Sequence, residues 1–192
     1  MNKRVFSLVL ALVLALASLT VAFAEESPVL ATVTAATVAG VKSASGVSLP
    51  ANFSVTALEA TPATTALAAE IASALQTGAI ADIFGEDAVA LISQAILGKA
   101  SVSGLKVEEV FPLSVVNYSE TFGDIIVTLD LPANYASDAV IVALVSYYHA
   151  AGQLVWTVAE AEVVDGQLLL TLNAADLVAA VNGEFTVALL GA

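Results

Sequence analysis

Few residues in this chain are equipped for chemistry, and their spacing narrows what that chemistry can be. The 192 residues include one histidine and no cysteine. A nucleophilic triad needs a base held beside its nucleophile, and the only imidazole is His149, at the end of an apolar run next to the turn-forming Ala150-Ala151-Gly152. That position suits a solvated turn residue. Neither a Gly-Lys-Ser/Thr phosphate loop nor a His-Glu-x-x-His helix occurs, so nucleotide and zinc chemistry have no support. No cofactor, no metal and no catalytic residue is expected.

Carboxylates are the remaining reactive groups. Glycoside hydrolysis needs two of them facing each other across a cleft. Candidate neighbours among the 18 acidic residues are pairs such as Asp124 with Asp130, or Glu160 with Glu162. Each pair lies on the wet side of an alternating run, where carboxylates solubilise, so a small two-carboxylate glycosidase stands only as an alternative. Gly85-Glu86-Asp87 and Asp165-Gly166 are too short to surround a calcium ion, which takes six to eight oxygens.

Aromatic rings offer a different chemistry, the stacking platforms of carbohydrate recognition. Tyr135, Tyr147 and Tyr148 are the candidate ligand-binding residues. Tyr147 and Tyr148 are consecutive in a strand-like run and point to opposite faces, so at most one of them is a surface platform. Trp156 alternates in phase with Leu154 and Val158, which places it on a buried face.

The elements that must position these residues begin after an export signal. Lys3 and Arg4 precede an unbroken apolar run from Val5 to Leu16, and Ala22-Phe23-Ala24 is followed by Glu25 and Glu26. This is the pattern of a cleaved signal peptide spanning 1–24; an uncleaved anchor is the alternative, since Val5 to Ala24 is long enough to span a bilayer. The expected location is extracellular, with no stable membrane insertion after cleavage. The mature chain keeps Lys42, Lys99 and Lys106 against 18 acidic residues, a net charge of −15. A nucleic-acid partner is excluded, because phosphate binding needs a basic patch; the expected partner is a protein or glycan of the cell exterior.

Residues 25–50 read as a linker or a weak strand region rich in Ala, Thr, Val and Ser. A strand follows at 52–58. Thr61-Pro62 opens a helix with a hydroxyl cap and a proline at the first position, and Thr77-Gly78 ends it. A second helix is expected from about Glu86 to Leu97, stopped by Gly98. Beyond Lys99 the apolar period changes to two. Val107 to Asn117 is interrupted by Pro112 and reads as an edge or bulged strand. Asp124 to Leu131 alternates most clearly, after which Leu131-Pro132-Ala133-Asn134 turns the chain. Ala139 to Tyr148 is apolar throughout, as a central strand would be. Asp165-Gly166 marks a tight hairpin between Glu160–Val164 and Gln167–Leu172. A short helix at 174–181, ended by Asn182-Gly183, precedes a last strand from Glu184 to Leu190, whose apolar edge is a candidate for pairing with another chain.

Several of these pieces in this order, namely Ile83-Phe84-Gly85, Val110-Phe111-Pro112-Leu113, Gly123-Asp124-Ile125-Ile126-Val127, Asn134-Tyr135, Val140-Ile141-Val142-Ala143-Leu144, Trp156 and Val163-Val164-Asp165-Gly166, resemble an uncharacterised family of exported proteins from Gram-positive gut bacteria. The resemblance spans Phe53 to Leu190 and implies a helical stretch beside an immunoglobulin-like β-sandwich, with no catalytic or ligand residues to carry over. The expected fold is therefore α+β, a helical hairpin (within 51–99) packed on or beside an antiparallel immunoglobulin-like sandwich (100–192). The expected role is that of a secreted, non-enzymatic structural or binding module, with a carbohydrate-binding module as the alternative.

Overall fold

A computed structural model describes residues 36–96, 98–131, 135 and 139–192. The expected export signal at 1–24, the opening of the 25–50 segment and the expected turn at 132–134 lie outside the described residues. Among the described residues no helix is long and apolar enough to cross a membrane.

The protein is mostly antiparallel β. The described residues form eight strands, β1 (Thr37–Ser43), β2 (Ser54–Ala57), β3 (Lys106–Val116), β4 (Ile125–Asp130), β5 (Ile141–His149), β6 (Leu154–Val164), β7 (Gln167–Leu172) and β8 (Ala180–Gly191). They form one sheet in the order β1-β4-β7-β6-β5-β8-β3-β2, and its outermost strands, β1 and β2, come back against each other. The result is a nearly closed, barrel-like sheet.

This overturns the expected helical hairpin on an immunoglobulin-like sandwich. A sandwich needs two separate sheets, whereas β6 joins the two halves here. Its first part, Leu154–Ala159, pairs with β5, and its second part, Glu160–Val164, pairs with β7. One 11-residue strand thus turns the corner of the barrel. The helical region is no two-helix hairpin either. It holds three short helices, α1 (Pro62–Thr77), α2 (Ile80–Phe84) and α3 (Glu86–Ala95), and a fourth, α4 (Ala174–Ala179), precedes β8.

Local chemistry explains most element boundaries. Thr61 and Thr64 form a reciprocal capping box at the start of α1, with Thr64 N–H donating to Thr61 Oγ1 at 3.2 Å and Thr61 N–H to Thr64 Oγ1 at 2.8 Å; Gly78, at φ 76°, ends the helix in the left-handed region. Asp165 and Gly166 both have positive φ, as the tight β6–β7 hairpin requires. Pro112 sits inside the sheet rather than at its edge. Its carbonyl accepts from Leu58 N–H at 2.9 Å, so its nitrogen faces the side where β2 has already ended and no ladder bond is lost.

The end of the chain also differs from expectation. Asn182-Gly183 does not terminate a helix; both residues lie within β8, a 12-residue strand. Gly183 has φ 62° and lies so close to β3 that a Cβ there would collide with the Val115 carbonyl oxygen. Nor is β8 an open edge, since it lies between β5 and β3.

Alternation along the strands separates two cores. The barrel interior is filled by inward residues such as Phe111, Leu113, Ile125, Leu129, Leu168, Leu170, Val187 and Leu189. The outward residues Val110, Val142, Leu144, Ala188 and Leu190 are buried beneath the helices, against Ile71, Leu75, Phe84, Ile92 and Ile96. β5 and β8 are therefore covered on both faces, which explains their nearly continuous apolar sequence.

Candidate functional site

The barrel has two ends with different polar chemistry. At the Tyr147 end, α4 packs Leu177 into the interior core. Asp176, beside it on the same helix, accepts hydrogen bonds from Tyr147 Oη at 3.0 Å and from Thr157 Oγ1 at 2.9 Å. Burial, reinforced by the Asp176 carboxylate, pushes the Tyr147 phenol up to about 12. Asp124 completes the closure by accepting from Ala174 N–H at 2.8 Å, which satisfies a free donor in the first turn of α4.

At the opposite end, Glu109 points into the barrel in phase with Phe111, Leu113 and Val115. It is only 3% exposed, and its Oε2 has no hydrogen-bond partner. Glu109 lies level with Leu189 of β8, which in turn pairs with Ala143 of β5. Ala143 and Tyr147 are four residues apart, so the two polar levels are separated by roughly 13 Å along the strand. Tyr135, from the connection between β4 and β5, packs against the interior core, and its hydroxyl is likewise buried without a partner. Burial and then the nearby Glu109 and Glu108 carboxylates raise the Tyr135 phenol far above its ordinary value. Burial, with Glu108 adding repulsion, pushes the Glu109 carboxyl up to about 7.

The three tyrosines singled out in the sequence are not brought together. Tyr135 is half-buried at the Glu109 end. Tyr147 is 7% exposed and edge-on to Phe185, with ring centroids 5.9 Å apart, so it presents no face to a ligand. Tyr148 is 62% exposed on the outer face. Trp156 packs edge-on against Phe84 at 4.8 Å, beneath the helices.

Tyr148 belongs to an apolar row that sequence reading missed. It pairs with Leu154 of β6. On its other side the β5–β8 register is broken, passing from Tyr147 opposite Phe185 to His149 opposite Ala180, and Val181 follows Ala180 in β8. Leu154 is 48% and Val181 58% exposed, so three large apolar side chains lie in the open on three adjacent strands. Val181 stands within the irregularity between Tyr147 and His149, for which no local sequence signal exists. Glu109 was also missed: it lies in the stretch read as an edge or bulged strand, and the signal for it is its position two residues before Phe111, in phase with Phe111, Leu113 and Val115.

The other acids have structural partners or open water. Asp130 accepts from Gln167 Nε2 at 2.6 Å, and Glu160 and Glu162 are exposed on the outer face of β6. His149 is exposed, its Nδ1 accepting from Ala151 N–H at 3.4 Å. Among the described residues no group of three His, Cys, Asp or Glu could hold a metal ion. Compared with models of protein families, with curated proteins and with solved structures, the chain matches none.

Proposed function

We propose that this chain is a non-enzymatic binding module of the bacterial exterior, exported by its N-terminal signal, with Leu154, Tyr148 and Val181 as its contact surface. The observation that carries this reading is the exposure of all three side chains on the adjacent strands β6, β5 and β8, with Tyr148 directly opposite Leu154. Solitary exposed apolar residues are ordinary, whereas a contiguous row favours contact with another surface. The acids at the same end of the barrel are engaged in closing it, Asp176 on Tyr147 and Thr157 and Asp124 on α4. The net charge of −15 on the mature chain turns the partner away from nucleic acid and towards a neutral or basic protein surface.

A row with one ring and two aliphatic side chains suits a protein surface better than a sugar ring. Tyr148 alone, with its exposed face, supports the second reading, a glycan-binding module. Photo-crosslinking from position 148 in cells exporting the protein tests the first reading, with position 169, on the outer face of β7, as the control. One partner captured from 148 and not from 169 supports it, and equal capture from both positions overturns it. A glycan array run with and without calcium tests the second reading, which requires binding that Tyr148→Ala abolishes. Export is tested separately by N-terminal sequencing of protein from the culture medium, where a start at Glu25 is expected.

A further inference from the structure

Glu109 occupies a weak place in the sheet. The β3–β8 ladder shifts register between Val107 and Glu109, so Glu108 bulges out of it. β2 pairs only with residues 113–116 of β3, which leaves the Lys106–Phe111 stretch paired to β8 alone. The carboxyl is therefore held by the stretch of β3 with the fewest ladder bonds.

Among the described residues its surroundings offer no countercharge. From β8 and β5 the residues at this level are Leu189, Gly191, Ile141 and Ala143, none of which titrates. Glu108, on the bulge itself, lies across Gly191 so closely that a Cβ there would meet its Oε1 at 2.7 Å. Tyr135 is the other titratable group nearby, and its hydroxyl has no partner. Lys106, the nearest base along β3, is exposed to water.

We propose that Glu109 is a proton-operated switch: neutral, it rests inside the barrel and the Lys106–Phe111 end of β3 stays docked on β8; ionised, it drives that end to open. An unpaired charge buried in an apolar interior is strongly unfavourable, and the second carboxylate on Glu108 increases the cost. Swinging Glu109 out to water relieves it. The bulge and the missing β2 partner leave this stretch a single, interrupted ladder to unpair. The elevated carboxyl of Glu109 puts the change near neutrality.

The test is amide hydrogen exchange on the full chain at pH 5 and pH 8, corrected for intrinsic rates. Protection of Val110, Phe111, Ala188 and Leu189 is expected to fall about tenfold between the two values, while Val145 and Val158 in the β5–β6 pair stay unchanged. Glu109→Gln, which keeps the shape and removes the proton equilibrium, is expected to abolish the difference. A pH dependence that persists in Glu109→Gln, or that is uniform over the whole barrel, overturns the proposal. Carboxyl NMR titration of the unmodified protein provides an independent check: a Glu109 midpoint near 7 supports the switch, and one near the ordinary 4.5 defeats it even if the variant does not fold.

Discussion

The two ends of the barrel carry similar chemical groups in opposite states. At one, a carboxylate, a phenol and a threonine hydroxyl bond one another, Asp176 accepting from Tyr147 and Thr157. At the other, a buried carboxyl lies close enough to a buried phenol to raise it, yet Glu109 Oε2 and Tyr135 Oη lack partners. A satisfied buried network fixes a single arrangement, whereas an unsatisfied one stores free energy that a change of protonation can release. Stability therefore concentrates at the α4 end and responsiveness at the Glu109 end.

The harshest way to break the α4 end is Gly183→Val. Positive φ and the Val115 carbonyl both oppose a Cβ there, and a loss of more than about 3 kcal/mol in urea unfolding is expected. Next comes Asp176→Ala, which leaves Tyr147 and Thr157 donors buried without an acceptor and is expected to cost about 2–3 kcal/mol. A double-mutant cycle with Tyr147→Phe should return a coupling near 1 kcal/mol or above; additivity would mean that the bond seen at 3.0 Å contributes nothing.

The corresponding change at the other end should act with the opposite sign. Folded Glu109 keeps its proton up to about 7, while the unfolded chain releases it near 4.5. Between these values the unfolded state binds fewer protons, so stability falls as pH rises through the window. Glu109→Gln is thus expected to stabilise by about 2 kcal/mol at pH 8, after allowance for screening, and by close to zero at pH 4. The smallest effect should come from Tyr148→Ser, within about 0.5 kcal/mol of the parent stability because the ring is exposed. A larger loss would mean that the outer row supports the fold rather than a partner.

How far the sequence could be read varies with the range of the forces involved. The α1 start at Thr61-Pro62, the Asp165-Gly166 hairpin and the inward set Ile125, Val127 and Leu129 follow from interactions within a few residues. Gly183 was misread for the same reason. Asn182-Gly183 looks like a helix stop locally, but the need for glycine there comes from the Val115 carbonyl of a distant strand. Pro112 argued for an edge or bulged strand; β3 is bulged, between Val107 and Glu109, but lies inside the sheet, and how Pro112 fits there became clear only from the side on which β2 ends.

The sequence by itself determined the alternation of strands, the capped helix and the acidity of the chain, because composition is given outright and backbone geometry, capping and side-chain period act locally. Only the tertiary structure decided that β6 turns the corner between the two halves, making a nearly closed barrel where a sandwich was expected. It also decided which phenol finds a carboxylate. Asp176 reaches Tyr147 across 29 residues of chain, while Tyr135 and Glu109 come near each other unbonded. Those pairings are set by register and packing between elements, and a charge or hydroxyl is costly or useful only according to what the fold places beside it.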